Sequence, residues 1–219
     1  MAAQTNKKEL RQSRVREMKN QLILEAALSV FAEKGYHNTR LEDISGEAGF
    51  SKATLYNYYK DKEDIFLTLL IERYRHVATT RGLFVDAQGY KKRTLKENLR
   101  FNLTINFEEL GEHFSFIRTS NEYIFNTLLA IQSTPKGTRN PLQEELLSLS
   151  DLLEENLINI FIHAKETKEI TSILSAEQIA VFYQSLLIGV IADWRKKGQM
   201  GDMEETINNI LTFTISGCK

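Results

Sequence analysis

The sequence predicts an all-α protein with a small helical head at its N-terminus and a larger helical body behind it. Three observations carry this reading. Only two prolines and eleven glycines occur in 219 residues, alongside 42% hydrophobic content, which leaves room for long uninterrupted helices. Apolar residues recur at spacings of one, three and four, and no strand-like run with a period of two stands out. From Gly49 to Lys62 the chain is dense in hydrogen-bond donors and follows another short helical stretch. Helix, glycine-bearing turn, helix is the sequence form of a helix-turn-helix.

In chain order, Ala2 to about Arg14 is polar and reads as a mobile arm. From Arg16 to Lys34 the apolar positions Leu22, Ile23, Ala26, Ala27, Val30 and Phe31 define one helical face, and Gly35 stands where a helix-ending glycine belongs. Tyr36 reads as a core or hinge aromatic. Thr39 with Glu42 has capping-box spacing for a second helix over Arg40–Ala48, with Leu41, Ile44 and Ala48 inward. Gly49 can hold a left-handed turn. Ser51 can cap a two-turn third helix, Lys52–Tyr58, anchored by Leu55 and Tyr59. Lys62-Glu63-Asp64 opens a long helix whose stripe runs from Ile65 to Val77 and which is expected to end near Val85; its early acids complement the helix dipole.

The body reads as helices over roughly 91–118, 120–133, 140–165, 175–197 and 202–216, and both prolines fall in the loop between Ser133 and Pro141. Ser175 with Gln178 predicts a capping box for the helix that follows. Ile179, Phe182, Tyr183, Leu186, Leu187, Val190, Ile191 and Trp194 form its stripe, while Ala180, Ile188, Gly189 and Ala192 widen the apolar surface. A mid-helix glycine costs roughly 1 kcal/mol against alanine, so Gly189 invites a reason such as close approach of another helix. Asp202 caps a last helix with Met203, Ile207, Ile210, Leu211 and Ile215 inward.

Charge is unevenly distributed. Residues 1–22 hold six Lys/Arg against two Glu, and residues 64–219 hold 17 Lys/Arg against 20 Asp/Glu. A basic end on a slightly acidic body suits contact with a polyanion at one end only, although a solvated basic terminus has the same composition. The single cysteine, Cys218, fits a reducing cytoplasmic location. No signal-peptide-like core or bilayer-length apolar run occurs. No P-loop, GxGxxG, GxSxG or metal-ligand spacing occurs, and His37, His76, His113 and His163 are scattered. Neither enzyme activity nor a metal or cofactor is expected.

Gly35-Tyr36-(His37-Asn38)-Thr39, Asp43-Ile44, Ala48-Gly49-Phe50-Ser51-Lys52, Thr54-Leu55-Tyr56 and Tyr58-Tyr59-Lys60-Asp61-Lys62-Glu63 resemble, in residue type and spacing, the N-terminal domain of the tetracycline-repressor (TetR) family of bacterial transcription regulators. The resemblance covers about residues 18–70. It implies a DNA-binding domain at 17–77, with its helix-turn-helix at about 40–59, and an effector-binding and dimerisation domain at 78–219. It places Thr39, Arg40, Ser51, Lys52, Thr54, Tyr56, Asn57, Tyr58, Lys60 and Lys62 at or beside positions that touch DNA. Lys52 and Asn57 suit base edges, and Thr54, Tyr56 and Lys62 suit the backbone. Tyr58 serves packing as readily as contact. Glu42, where a basic or polar residue is frequent, should weaken general attraction to DNA.

The resemblance further implies an effector cavity in the body. Residues 101–125 are rich in aromatics, which also suits a plain core; Phe101, Ile105, Phe114, Tyr123 and Phe125, with Phe161 and Tyr183, are the candidate lining and suggest a hydrophobic or aromatic effector. It also implies a homodimer built from the last two helices of each subunit, with Phe182, Leu186, Gly189, Val190, Asp193, Ile207, Ile210 and Leu211 as candidate contacts. The expected function is a homodimeric repressor released from a near-palindromic operator by a small molecule. The competing reading is a helical ligand-binding or interaction protein of the same fold whose head does not bind DNA specifically.

Overall fold

The structure is a computed structural model and describes residues 2–218, with side chains from residue 9 onward. Among the described residues it contains no strand. The helices are α1 (Ala2–Asn38), α2 (Leu41–Glu47), α3 (Lys52–Tyr56), α4 (Lys62–Thr80), α5 (Leu95–Glu112), α6 (Phe114–Ser133), α7 (Pro141–Glu166), α8 (Ala176–Lys197) and α9 (Met203–Gly217), with a short 3-10 turn at Gly89–Lys92. The all-α class follows from the scarcity of helix breakers, as expected.

The chain packs as two units: residues 1–70 with 115–142, and residues 71–114 with 143–219. In the first unit α1 packs on α2 and α2 on α3. The predicted stripe of α1 is inside: Ile23, Ala27 and Phe31 are fully buried, with Ile44, Leu55, Ile65 and Phe66. Phe31 meets Phe66 edge-on at 5.2 Å between ring centres, and Phe116 lies 5.5 Å from Phe66. Tyr123 stacks on Tyr36 at 3.3 Å. The core of the head is thus completed by α6, from far along the chain. Burial, then the hydrogen bond with Tyr123, pushes the Tyr36 phenol pKa well up.

Gly35 has φ +72°, and a Cβ there would sit 3.2 Å from the Thr119 carbonyl oxygen. Thr119 in turn donates its hydroxyl to the Phe31 carbonyl at 2.9 Å. Glycine is required at this bend both by conformation and by the approach of α6.

In the second unit α5 packs on α9, and α8 contacts α9. Leu99, Leu103, Phe107, Leu146, Phe161, Ile179, Ile207 and Leu211 supply its core. The caps predicted for α8 and α9 form: Ser175 Oγ accepts the Gln178 amide at 3.2 Å, and Asp202 Oδ1 accepts the Glu205 amide at 2.6 Å.

Several boundaries differ from expectation. Helix α1 begins at Ala2, because residues 2–14 contain no proline or glycine to stop it. Helix α4 ends at Thr80, where the chain turns through Gly82 at φ +74°. Helix α5 starts later, because Thr94 and Glu97 form a capping box, and it ends at Glu112 with His113 as its C-cap, so α6 begins at Phe114.

Candidate functional site

The helix-turn-helix is assembled by local capping. Arg40, not Thr39, is the N-cap of α2, and Asp43 Oδ2 accepts the Arg40 amide at 2.8 Å. Gly49, at φ +70°, makes the left-handed turn before α3. Ser51 Oγ accepts the Thr54 amide at 3.2 Å and shares a 2.9 Å hydrogen bond with the Thr54 hydroxyl. The third helix spans only Lys52–Tyr56, with Asn57 as its C-cap. Leu55 and Tyr59 are buried, and the Tyr59 hydroxyl donates to Asn20 at 2.7 Å, fastening the end of the motif to α1.

This geometry brings Arg40, Ser51, Lys52, Tyr56, Asn57 and Lys60 to the surface, with Thr54 and Tyr58 half-buried. Tyr56 is 51% exposed despite its large ring. Exposed hydrogen-bond donors on and beside this short helix suit a reader of base edges with its first residues.

Two of the candidate DNA contacts do something else. Thr39 is 1% exposed, and its hydroxyl donates to the Gly35 carbonyl at 2.7 Å. Lys62 reaches back to the end of α1, where its ammonium donates to the Tyr36 carbonyl at 2.6 Å and the Thr39 carbonyl at 2.8 Å, above the Tyr36 ring at 4.2 Å. Burial lowers its pKa. Lys62 ties together two carbonyls at the bend that ends α1 and is not presented to phosphate.

Lys52 is exposed but pairs with Glu42 of α2 and lies 5.8 Å from the Tyr56 ring centre. The hydrogen bond between them raises the Lys52 pKa and lowers that of Glu42. Lys34 likewise bridges Asp43 at 2.8 Å.

Sequence reasoning noted a basic N-terminus without assigning residues in it. The structure sets Arg11, Gln12, Val15, Arg16, Lys19 and Tyr58 around one open groove, with the Arg16 guanidinium 5.8 Å from the Tyr58 ring. The helical spacing of 11, 12, 15, 16 and 19 could have placed them on one face. Tyr58 is therefore half-buried at the rim of this groove, beside cations from α1.

The candidate effector residues separate. Tyr123 and Phe125 belong to the first unit, where Tyr123 is taken up by Tyr36 and Phe125 is 58% exposed. The other five belong to the second unit. Ile105, Phe161 and Tyr183 are buried, and Phe161 meets Tyr183 edge-on at 6.0 Å. Phe101 is half-buried under the Arg93 guanidinium at 4.4 Å, and Phe114 is half-buried at the start of α6. Arg81 and Asn106, both half-buried and unmarked by any sequence motif, lie in the same unit: Arg81 Nη2 donates to Asn106 Oδ1 at 2.9 Å.

The candidate dimer contacts also separate. Phe182, Gly189 and Asp193 are exposed, Leu186 and Val190 half so, along one side of α8 with Val181 and Ile188. No other atom lies within 4 Å of a Cβ placed on Gly189. Ile207, Ile210 and Leu211, by contrast, are at most 4% exposed, because α9 turns that face to its own subunit's core. They are not available to a second subunit, whereas Phe213 of the same helix is 67% exposed.

Among the described residues no helix is long and apolar enough to cross a membrane. The sequence pattern of bacterial regulatory proteins, tetR family, matches residues 23–69. The fatty acid metabolism regulator protein of Bacillus subtilis strain 168 is 26% identical over 198 residues, 89% of this chain and 93% of that protein. The crystal structure of the transcriptional regulator FadR from Bacillus subtilis in complex with stearoyl-CoA is similar in fold, with a TM-score of 0.64 and 22% identity over 91% of this chain and 99% of that one. The TetR family regulator PfmR from Thermus thermophilus gives a TM-score of 0.64 and 26% identity over 90% and 98%. These proteins are all transcriptional regulators, a non-enzymatic class.

Proposed function

We propose that this chain is a DNA-binding transcriptional regulator of the tetR family, a homodimeric repressor released from a near-palindromic operator by an effector with a long apolar chain, of the acyl thioester type. The observation that carries the effector class is the likeness to a fatty acid metabolism regulator across head and body together, not the head alone. The second unit fits that class, with Ile105, Phe161 and Tyr183 buried inside it. In this reading residues 17–77 form the reading head and 78–219 the effector and dimerisation body.

The dimer is supported by α8. Val181, Phe182 and Ile188 are each more than half exposed, and a monomer gains nothing by leaving such a stripe in water. Ser185, Gly189 and Ala192 add small side chains on the same side, which lets a second helix approach closely. Two heads related by a two-fold axis would read half-sites spaced by about one helical turn, 34–36 Å, or a multiple of it. Arg40, Lys52, Tyr56, Asn57 and Lys60 would contact one half-site, and Arg11, Arg16 and Lys19 its flanking phosphates. An effector acts by binding better to the state whose heads do not fit the groove.

The test is selection from random duplexes at near-physiological salt, followed by release with stearoyl-CoA, with the oligomeric state measured by sedimentation equilibrium. A dimer, a palindromic motif and release by the thioester are the expected results. A folded protein that enriches no motif would support the reading of a silent head, for which the Glu42–Lys52 pair is the specific observation.

A further inference from the structure

Four side chains with metal-ligating atoms meet in the second unit, around the buried carboxylate of Glu109. Glu109, Glu112 and His113 stand three and four residues apart at the end of α5, which puts them on one face of the helix. One ligand atom from each of these three lies within 4.8 Å of the other two. Helix α4 brings the fourth. His76 Nε2 lies 3.7 Å from Glu109 Oε2, while His113 Nε2 lies 3.6 Å from Glu109 Oε1. The two imidazoles therefore address opposite oxygens of one carboxylate. No sequence spacing marks this meeting, because His76 and Glu109 belong to different helices.

Neither nitrogen is close enough to hydrogen-bond the carboxylate. Both separations are instead near those between two ligands of one ion. Donors at the usual distance from a tetrahedral zinc ion lie about 3.3 Å apart, so small side-chain movements would complete the geometry. Arg73 approaches Glu109 Oε1 at 3.5 Å and leaves Oε2 to His76. The charges of Glu109 and Glu112 together outweigh that of Arg73, so the cluster can attract a cation. Thr80 Oγ1 lies 3.5 Å from His76 Nε2, a contact at the limit of a hydrogen bond that an ion would displace. The His76 side chain is 62% exposed and that of Glu109 only 8%, which gives the cluster an open side for entry and a fixed side for orientation. Two imidazoles with carboxylates are a donor set for zinc and its neighbours, whereas calcium and magnesium take oxygen ligands.

We infer that His76, Glu109 and His113, with Glu112 as the fourth donor, form a binding site for a divalent transition-metal ion of the zinc type. Bound there, the ion would fasten the last turn of α4 to the end of α5. The site is independent of the acyl-chain reading, and its test uses neither DNA nor effector.

The test is calorimetric titration of the full-length protein, first stripped with a chelator, with zinc chloride at pH 7.5, where an ordinary imidazole is neutral. Magnesium chloride is the hard-cation comparison. The same titrations are run on His76→Gln and His113→Gln, and on His163→Gln as a control from α7. His76 is largely exposed, so His76→Gln tests the site without disturbing the core. One zinc ion per chain is the expected result. Changes to groups that merely orient metal ligands cost about 10–100-fold in affinity, so loss of a ligand should weaken zinc by at least about tenfold in His76→Gln and in His113→Gln. His163→Gln should bind as the unaltered protein does, and magnesium should bind none of them. Zinc should also raise the melting temperature of the unaltered protein more than that of either ligand variant. No zinc binding by the unaltered protein, zinc affinity unchanged in either His76→Gln or His113→Gln, or magnesium binding as tight as zinc would overturn the inference.

Discussion

At the scale of single residues, charge pairing decides which side chains can meet a polyanion. Glu42 holds Lys52 across the helix-turn-helix, so the most obvious cation of the third helix is partly neutralised before DNA arrives. Glu42→Gln should free it: DNA affinity should rise at low salt, and the dependence of log K on log salt should steepen by about one phosphate contact, read by fluorescence anisotropy across a salt series. Lys62 behaves differently, because its ammonium is spent on the Tyr36 and Thr39 carbonyls. Lys62→Met should leave the salt slope unchanged and lower head stability by about 1–2 kcal/mol in urea unfolding, the half-exposed position discounting the loss. Lys52, Tyr56 and Asn57, expected from the sequence to meet DNA, are exposed, since they follow a cap and lie off the Leu55 face. It misplaced Thr39 and Lys62, because the backbone carbonyls that claim them belong to a bend no spacing rule shows. His113 adds a pH dependence. Burial, then Arg73, lowers its pKa from 6.5, with Glu109 and Glu112 opposing and His76 assisting. Below about 6.5 the unfolded chain therefore takes up a proton that the folded chain resists, and stability should fall as pH drops through that value and on toward the folded pKa. His113→Gln should flatten the melting temperature between pH 7.5 and 5.5.

At the scale of helices, capping was the most legible signal. Ser51, Ser175 and Asp202 each begin a helix as their spacing to the next acceptor or donor predicts. The Thr94-x-x-Glu97 pair carried the same signal for α5. The break at His113 had no such mark: neither glycine nor proline stands there, and tertiary packing sets the change of direction. Gly35 lies between these cases. Its position at the end of the α1 stripe is plain in sequence, but the reason it must be glycine includes Thr119, 84 positions later. Gly35→Ala should cost about 1–3 kcal/mol of head stability, through strain at positive φ and crowding of the Thr119 carbonyl, measured by thermal and urea unfolding.

At the scale of the whole molecule, the sequence suggested a simple succession, head then body. The structure interleaves them. Helix α6 supplies Phe116, Thr119 and Tyr123 to the core around Phe31, Tyr36 and Phe66. A fragment of residues 17–77 leaves Phe31 and Phe66 without Phe116 and should show reduced helicity by circular dichroism and no cooperative melt. A fragment in which residues 115–133 are restored by a flexible linker should recover both. Local periodicity could not show this, because aromatic residues at 116 and 123 suit any core. The same arrangement reaches into how the protein is made. A ribosome delivers the helix-turn-helix first, then some fifty residues of other helices, and only afterwards the helix that closes its core. At about 5–20 residues per second, this leaves the nascent head incomplete for several seconds, with the Phe31–Phe66 surface open to chaperones and to other chains. The helix-turn-helix gains its full core only once α6 has emerged.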